Sequence, residues 1–266
     1  MKPEIWSASK CAPYLSKPKP SDHKYRRGVL GCVTGSKQYP GAALLTTSAA
    51  LSVGIGMVRY LGPKSVQRAV VQNRPEVVIQ SGQVDAFLIG SGIAKRKSLL
   101  RKITMEMANR TAVPKVLDAG ALYLAGSGSS PTIITPHAGE LSELIKVPAK
   151  EIEADPIKYS LEAAKRFKVT VLLKGNKTVV ANEHRVIQLP SAPSWLATAG
   201  TGDVLAGIIG GLLALNHQLV NHENLIEIGA TASFVHAKAA EASSDGPLNL
   251  TNVIDCISKE FIKLVK

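Results

Sequence analysis

The stretch ATAGTGDVLAG, residues 197–207, decides how the fold of this chain is interpreted. Its glycines and small residues lead directly into an apolar segment that predicts a helix over residues 203–215. Backbone N–H groups freed by such a turn, together with the positive end of a helix, form a cradle for phosphate. The stretch is not a P-loop, because no Gly-Lys-Ser/Thr follows, and Leu205 stands where a dinucleotide fingerprint has its third glycine.

Asp203 stands at the start of this predicted helix and has two interpretations. A carboxylate in the first turn complements the helix dipole and stabilises the fold. Beside a bound phosphate, the same carboxylate would instead accept the proton of an attacking hydroxyl group. Glycine spacing alone leaves these two interpretations about equally supported.

Three further segments upstream carry candidate chemistry. The first, residues 31–36, is a glycine turn that precedes a helix of small residues, and either close ligand approach or tight helix packing explains it. The second follows a strand at the edge where open α/β sheets bind ligands. There His137 is a candidate hydrogen-bond donor, and Glu140 is a first-turn charge unless a metal is near. The third places Lys174 after a strand, as a phosphate ligand or a surface lysine.

Short apolar runs alternate with longer helical patterns along the chain, which predicts βαβ units and a mostly parallel sheet within one large α/β domain. The predicted strands are residues 29–34, 57–61, 86–89, 115–117, 132–135 and 169–173, followed by a hairpin of residues 178–181 and 185–189. The predicted helices are residues 41–53, 97–108, 139–145, 156–167, 203–215, 223–243 and 251–265.

Composition narrows the functional classes. The 266 residues are 45% hydrophobic, with 32 basic and 20 acidic side chains and a net charge of +12, which favours anionic partners. Seven basic and two acidic side chains lie in residues 1–27, and a second basic cluster lies in residues 95–102. These clusters indicate a solvated basic surface, and the 5% aromatic content argues against a platform for single-stranded nucleic acid.

Targeting and redox signals point to the cytoplasm. No apolar run reaches the roughly 20 residues that a membrane span needs, and the first twenty residues lack the apolar core of a signal peptide. Three cysteines without a CxxC spacing argue against a disulfide framework or a structural zinc site. We therefore expect a cytoplasmic protein without nucleic-acid or membrane partners.

Taken together and in this order, these segments resemble the NAD(P)H-hydrate dehydratase family of the ribokinase-like superfamily. The resemblance runs from about residue 24 to the C-terminus, so we expect a basic extension over residues 1–23, a single domain over residues 24–266 and no fused epimerase domain. The stretches that carry it are Gly35-Ser36, residues 39–42, Asp118-Ala119, Ala121-Leu122, residues 135–140, Leu173-Lys174-Gly175, Thr178 and residues 196–207.

The resemblance implies a three-layer α/β sandwich with a mainly parallel central sheet and helices on both faces. It also implies a lyase of nicotinamide nucleotide repair, which dehydrates (6S)-NADHX and (6S)-NADPHX to NADH and NADPH and converts ADP to AMP and phosphate. ADP is then a co-substrate, and Mg²⁺ bridges its phosphates with few protein ligands. Members of the family are often homotetramers, which we expect here.

The resemblance also assigns residues by position, with Asp203 as the catalytic base and with no residue assigned as a metal ligand. The residues expected to contact the hydrated dinucleotide are Ala42, Gly92, His137 and Asp203. The residues expected to contact ADP are Lys174, Gly175, Asn176, Lys177, Thr178 and Gly202, and those expected to form the phosphate cradle with Gly202 are Ala199, Gly200 and Thr201.

Three departures from the family pattern bear on this assignment. Residues 90–94 read GSGIA where the family usually has Gly-Pro-Gly-Leu-Gly, Gly120 replaces a second acidic residue, and Ala199 replaces a glycine. A small-molecule kinase of the same superfamily, acting on a hydroxymethylpyrimidine or a thiazole alcohol, is the nearest alternative. A nucleic-acid-binding protein, suggested by charge alone, is a more distant one.

Overall fold

The computed structural model of the chain describes residues 2–94 and 99–265, except for the side chains of residues 99–103. Short apolar runs form one sheet, whose order in the described residues is β1-β9-β8-β7-β6-β5-β4-β2-β3. The pairs β9–β8 and β8–β7 are antiparallel, and the others are parallel. The strands are β1 (Glu4–Ile5), β2 (Val29–Val33), β3 (Met57–Tyr60), β4 (Ala86–Ile89), β5 (Lys115–Leu117), β6 (Thr132–Ile134), β7 (Thr170–Leu173), β8 (Val179–Ala181) and β9 (Val186–Gln188).

Helices cover both faces of this sheet. In the part of the chain that the structure describes, no helix combines the length and the apolar character needed to span a membrane. Single 3₁₀ turns lie at Ala12–Tyr14, Ala119–Leu124 and Ser194–Leu196. The α-helices are α1 (Ala8–Cys11), α2 (Pro40–Leu51), α3 (Lys64–Asn73), α4 (Leu99–Asn109), α5 (Ala138–Ile145), α6 (Ala149–Ala154), α7 (Pro156–Phe167), α8 (Thr201–Leu215), α9 (Leu225–Ser243) and α10 (Leu250–Leu264).

Alternation of side chains along the strands creates the three layers. Leu88 and Val116 stand in register and pack in the core beneath α2, α8 and α9. Their neighbours Ile89 and Leu117 point to the other face and pack in the core beneath α4, α5 and α7. Because successive strand residues face opposite sides, strands covered on both sides are apolar throughout. The predicted three-layer α/β sandwich is therefore the observed architecture.

Helix α8 lies deep in the first of these layers, with every residue from Val204 to Ala214 buried. Its glycines permit this position. A Cβ on Gly207 would lie 2.5 Å from the carbonyl oxygen of Thr46, and a Cβ on Gly211 would lie 2.9 Å from that of Ala50. The backbones of α8 and α2 are thus in direct contact along one side of α8.

The N-terminal segment is part of the same packed body. Strand β1 pairs in parallel with β9, and Trp6 and Cys11 are buried in the first core. Glu4 forms an ion pair with Arg185 at 3.1 Å. The predicted extension over residues 1–23 is therefore partly packed, which the sequence did not indicate because a two-residue strand has no periodicity. The boundary at residue 24 stays a prediction.

Most predicted elements are present with shifts of one or two residues at their ends. One strand and three α-helices were not predicted, namely β1, α1, α3 and α6, which are short or polar segments. Helix α10 is capped by Asn249, whose side chain accepts from the Thr251 N–H at 2.9 Å. The basic cluster at residues 95–102 and the start of the predicted helix over 97–108 lie outside the described residues or side chains.

Candidate active site

Asp118 is the hub of a buried polar cluster at the carboxyl ends of the parallel strands. It directly follows β5, as Ser91 follows β4 and Thr135 follows β6. The Ser91 hydroxyl donates to one carboxylate oxygen at 2.8 Å, and the Thr135 hydroxyl donates to the other at 2.7 Å. All three residues are at most 3% exposed. Because parallel strands end at one edge of the sheet, adjacent polar residues meet there.

Lys174 follows β7 and joins this cluster. Its ammonium group donates to Asp118 at 3.2 Å and lies 3.6 Å from the Glu140 carboxylate. Burial by itself lowers the pKa of Lys174, but the negative charges of Asp118, Glu140 and Asp203 outweigh it and raise the pKa. The alternative of a surface lysine is therefore wrong: Lys174 is a half-enclosed, permanently charged group.

The turn before α8 presents backbone amides beside this ammonium group. Gly200, the residue directly before α8, has a φ of +94°, a backbone conformation that favours glycine. The Thr201 hydroxyl donates back to the carbonyl groups of Leu196 and Thr198, both at 2.9 Å. Within the described residues, the N–H groups of Gly202 and Asp203 have no acceptor. These free amides at a helix start form an anion cradle, whereas the N–H group of Thr201, which was also predicted to belong to it, donates to the Thr198 carbonyl at 3.4 Å.

Gly202 lies directly against Lys174. A Cβ added to Gly202 would lie 3.4 Å from the Lys174 Nζ, with no other side chain as close. The lysine charge and the first amides of α8 therefore face the same space. An anion in this space would be held by a formal positive charge and by the helix dipole together.

Asp203, one residue further along α8, is a carboxylate with a strongly raised pKa. Burial raises the pKa of Asp203 to about 7, with a further contribution from the charge of Asp118, while Lys174 opposes both. A carboxyl group with a pKa near neutrality is matched to proton transfer at physiological pH. This electrostatic setting favours the interpretation of Asp203 as a base over that of a simple helix-dipole partner.

His137 caps the N-terminus of α5 with its side chain. Its Nδ1 accepts from the N–H groups of Gly139 at 3.1 Å and Glu140 at 3.3 Å, while the Glu140 carboxylate accepts from the His137 N–H. This capping box leaves the ring proton on Nε2, which lies 3.5 Å from the Glu140 carboxylate, and the histidine side chain is 59% exposed. Glu140 is therefore the first-turn charge that the sequence indicated, and it also pairs with Lys174.

Small residues converge at the ends of β2 and β4. Gly92 has a φ of +66°, and a Cβ there would lie 2.3 Å from the Ala42 Cβ. Gly35 has a φ of +74°, and its N–H donates to the Ser91 carbonyl at 2.7 Å. Despite the missing proline and last glycine of the family pattern, this loop keeps its glycine-dependent conformation at Gly90 (φ +109°) and Gly92.

A cavity of about 440 Å³ opens between the loop after β7 and helices α8 and α9. Lys177 is exposed and does not line it, and Ala42, Gly92, His137 and Asp203 lie outside its lining. The predicted residues therefore form two groups that meet near Lys174 and Asp203. The predicted residues that line the cavity are Lys174, Gly175, Asn176, Thr178, Thr201 and Gly202.

The sequence analysis assigned no role in the site to Asp118, Ser91, Thr135 or His236. The first three share one signal that was available, a polar residue within two positions of the end of a short apolar run. His236 lines the cavity and is 6% exposed, and burial lowers its pKa to about 4. A histidine within an apolar helical stripe gives no local indication that it faces a cavity.

The described residues contain no cluster of three or more His, Cys, Asp or Glu side chains with the spacing to hold a metal ion. Three carboxyl groups, those of Asp118, Glu140 and Asp203, nevertheless lie around the one ammonium group of Lys174. The resulting excess of negative charge, on carboxylate oxygens, suits a hydrated divalent cation that arrives with nucleotide phosphates. The site thus fits Mg²⁺ bound through few protein ligands.

Comparison with known proteins gives a consistent result. The sequence profile of the family described as NAD(P)H-hydrate dehydratase matches residues 30–260. The chain is 36% identical over 253 residues to the bifunctional NAD(P)H-hydrate repair enzyme Nnr of Mycobacterium leprae, covering 90% of the chain and 51% of that protein. It is 30% identical over 248 residues to the ADP-dependent (S)-NAD(P)H-hydrate dehydratase of Neisseria meningitidis, covering 86% of the chain and 82% of that protein.

The chain spans about half the length of the bifunctional relatives. Among solved structures, the ADP/ATP-dependent NAD(P)H-hydrate dehydratase of Bacillus subtilis, co-crystallised with ATP and Mg²⁺, superposes with a TM-score of 0.87 at 26% identity, over 99% of both chains. A ribokinase-like superfamily protein of Enterococcus faecalis superposes with a TM-score of 0.85 at 21% identity, over 98% of this chain and 96% of that one. The fold is therefore the ribokinase-like α/β sandwich.

Proposed function

This chain belongs to the NAD(P)H-hydrate dehydratase family, and from that premise we propose that it dehydrates (6S)-NADHX and (6S)-NADPHX to NADH and NADPH. ADP is the co-substrate, and AMP and phosphate are the other products. The protein is thus a lyase that repairs nicotinamide nucleotides. The observation that carries the proposal is the meeting of a carboxyl group of raised pKa, Asp203, with a charged lysine and free helix amides.

In the proposed arrangement the nucleotide occupies the 440 Å³ cavity. The free amides of Gly202 and Asp203 and the ammonium group of Lys174 hold the phosphate oxygens. The turn from Gly175 to Thr178 lines the side of the cavity. Its shape is fixed by hydrogen bonds from the Asn176 side chain to the Ala192 carbonyl at 2.9 Å and from the Thr178 hydroxyl to the Gly175 carbonyl at 3.2 Å.

The hydrated dinucleotide occupies the neighbouring group of residues. A Cβ on Gly92 would lie 2.3 Å from the Ala42 Cβ, so these two small residues pack against each other, and the dinucleotide would lie over the surface that they form. The Nε2–H group of His137 is oriented by the capping box to donate to the same ligand. Asp203 stands where these residues and the nucleotide cavity meet.

The chemistry then proceeds in two steps. Asp203 accepts the proton of the hydrate's hydroxyl group as its oxygen attacks the terminal phosphorus of ADP, and AMP leaves with the electrons of the broken P–O bond. Phosphate then leaves the ring carbon with loss of a neighbouring ring proton, which restores the double bond. The amides at the start of α8 and Lys174 stabilise the charge that develops on the transferred phosphoryl group.

Mg²⁺ supplies charge neutralisation on the phosphate oxygens when it is bound with the nucleotide. Asp118 and Glu140 are the carboxylates that would hold the hydrated ion, because both are directed toward the phosphate-facing lysine. Asp118 is itself fixed by the Ser91 and Thr135 hydroxyls, so it holds a constant position.

We further propose that the protein is a cytoplasmic homotetramer that binds neither nucleic acid nor membranes. The three cysteines are buried and unpaired, which suits a reducing compartment. The tetramer rests on the family resemblance, and light scattering coupled to size-exclusion chromatography tests it. A molecular mass other than about four times that of one chain refutes it.

The decisive experiment is incubation with NADH hydrate, ADP and Mg²⁺ while the absorbance of the reduced nicotinamide ring is followed. We expect the absorbance to rise, with one AMP and one phosphate formed per NADH. The alternative small-molecule kinase would instead accumulate a phosphorylated hydroxymethylpyrimidine or thiazole alcohol with ATP. Formation of such an alcohol phosphate, without recovery of NADH from the hydrate, refutes the proposed function.

A further inference from the structure

The cavity beside Lys174 has two chemically different ends. One end is formed by Lys174 and Gly202, which offer an ammonium group and backbone amides. Much of the remaining lining is apolar, with Leu196, Leu205 and Ala237 among its residues. This division fits a nucleotide, whose phosphates bind at the charged end and whose flat base lies between apolar walls.

Two polar side chains on α9, Ser233 and His236, interrupt the apolar lining. They are three residues apart and therefore lie on one face of the helix. Each is 6% exposed, and neither the Ser233 hydroxyl nor His236 Nε2 has a hydrogen-bond partner in the described part of the chain. Buried polar atoms in folded proteins are nearly always paired, and these two residues also line a cavity, so we take a molecule bound in that cavity as their partner.

The two side chains have the properties that recognition of a base requires. Burial lowers the pKa of His236 to about 4, so the imidazole is neutral at physiological pH and is not a cation for phosphate. A neutral imidazole carries one N–H donor and one acceptor nitrogen, and a hydroxyl group both donates and accepts. The edge of a purine presents adjacent donors and acceptors, which such a pair matches.

There is also space for the base at this position. Ser233 lines a second cavity of about 270 Å³, which shares Thr178, Ala192 and Ala237 with the first. The wall between the two cavities is therefore thin at Ser233.

We infer that Ser233 and His236 select the base of the bound nucleotide by hydrogen bonding to the edge of adenine. This inference rests on the proposed ADP-dependent function and specifies which side chains make ADP the preferred diphosphate. The two residues recognise substrate and take no part in proton transfer, because Lys174 forms the other end of the cavity and Asp203 lies outside the cavity lining.

Calorimetric titration of the full chain with ADP, GDP and pyrophosphate tests the inference. Wild-type protein is expected to bind ADP at least tenfold more tightly than GDP. Ser233→Ala and His236→Leu should each weaken ADP binding about tenfold, or about 1.4 kcal/mol, and reduce the ADP-to-GDP preference. Pyrophosphate binding should not change. His236→Gln, which places an amide near the Nε2 position, should recover part of the preference.

Ser160→Ala is the matched control. The Ser160 hydroxyl is also buried without a partner, but it lies on α7 and lines neither cavity. The control should bind all three ligands as the wild type does. Thermal midpoints should not fall in Ser233→Ala or Ser160→Ala, because neither change removes a hydrogen bond present in the free protein.

Three results would overturn the inference: equal binding of ADP and GDP by the wild type, unchanged ADP binding by both Ser233→Ala and His236→Leu, or an equal loss of ADP and pyrophosphate binding. None of these depends on turnover. A protein that discriminates between the bases but fails to restore NADH from its hydrate would refute the proposed function and leave base selection intact.

Discussion

Replacement of Asp203 by Asn separates the catalytic role of this carboxylate from a structural one. The ordinary aspartate pKa is 3.8, and burial with Asp118 nearby raises that of Asp203 to about 7. Asn has nearly the same shape and still lies in the first turn of α8, but it accepts no proton. Turnover should therefore fall by roughly 10²–10⁴-fold, the usual contribution of a general base.

The same substitution should increase the free energy of unfolding, because the pKa of Asp203 is raised in the folded protein. A carboxyl group whose pKa is higher in the folded state contributes stability below its unfolded pKa and loses it as the pH rises through the folded pKa. The difference between the two values corresponds to about 4 kcal/mol at pH 8 and about 2 kcal/mol at pH 5. Asp203→Asn removes this cost, so its gain in unfolding free energy should grow with pH.

Urea unfolding at pH 5 and pH 8, combined with turnover across the same range, measures both effects. The wild-type rate should rise with pH and level off above about 7, since Asp203 acts as a base only when ionised. A mere partner of the helix dipole would behave differently: Asp203→Asn would cost up to about 1 kcal/mol of stability and leave the rate intact. A less stable, fully active Asp203→Asn protein refutes the catalytic assignment.

Further predictions concern glycine positions and nucleotide choice. Gly202→Val should weaken ADP binding, because a Cβ there would lie 3.4 Å from the Lys174 Nζ in the phosphate space, and unchanged affinity in titrations would contradict this. Gly207→Ala should destabilise the fold by about 1–3 kcal/mol, because the added Cβ overpacks against Thr46. Gly41→Ala should be neutral or stabilising, because no atom lies within 4 Å of its added Cβ. Equal melting temperatures of the two variants would refute this contrast. The family resemblance predicts that initial rates with ADP exceed those with ATP at equal concentration. Higher rates with ATP would contradict this prediction.

The central strands were predictable because they are buried on both faces. Strands β4 and β5 begin and end at the predicted residues. Strand β4 is an uninterrupted apolar run, and in β5 the apolar pair Val116-Leu117 follows the buried Lys115. Helix α3 was missed for the opposite reason. Only Val66 and Val70 among its residues are buried, so its apolar stripe is too narrow to distinguish it from a polar loop.

The candidate site was predictable where glycine or a strand end marks it, and not where contacts through space define it. Gly92 and Gly202 carry a local signature, because a side chain would fill the space they leave. The relation of Asp118 to Lys174 has no such signature, since 56 residues separate them and the sheet order alone brings them together. Likewise, nothing in the local sequence of His236 indicates a cavity beside it.

The contact between the backbones of α8 and α2 has a consequence for how the two ligands meet. Helix α8 begins with the cradle at Gly202, and α2 begins near Ala42, so each helix carries one of the two proposed binding groups at its N-terminus. Because Gly207 and Gly211 leave no gap between the helices, the two helices move as one rigid unit. In the proposed reaction, the distance between the donor phosphorus and the accepting hydroxyl would then be preorganised in the free protein, and alignment of the reactants would cost little further conformational entropy.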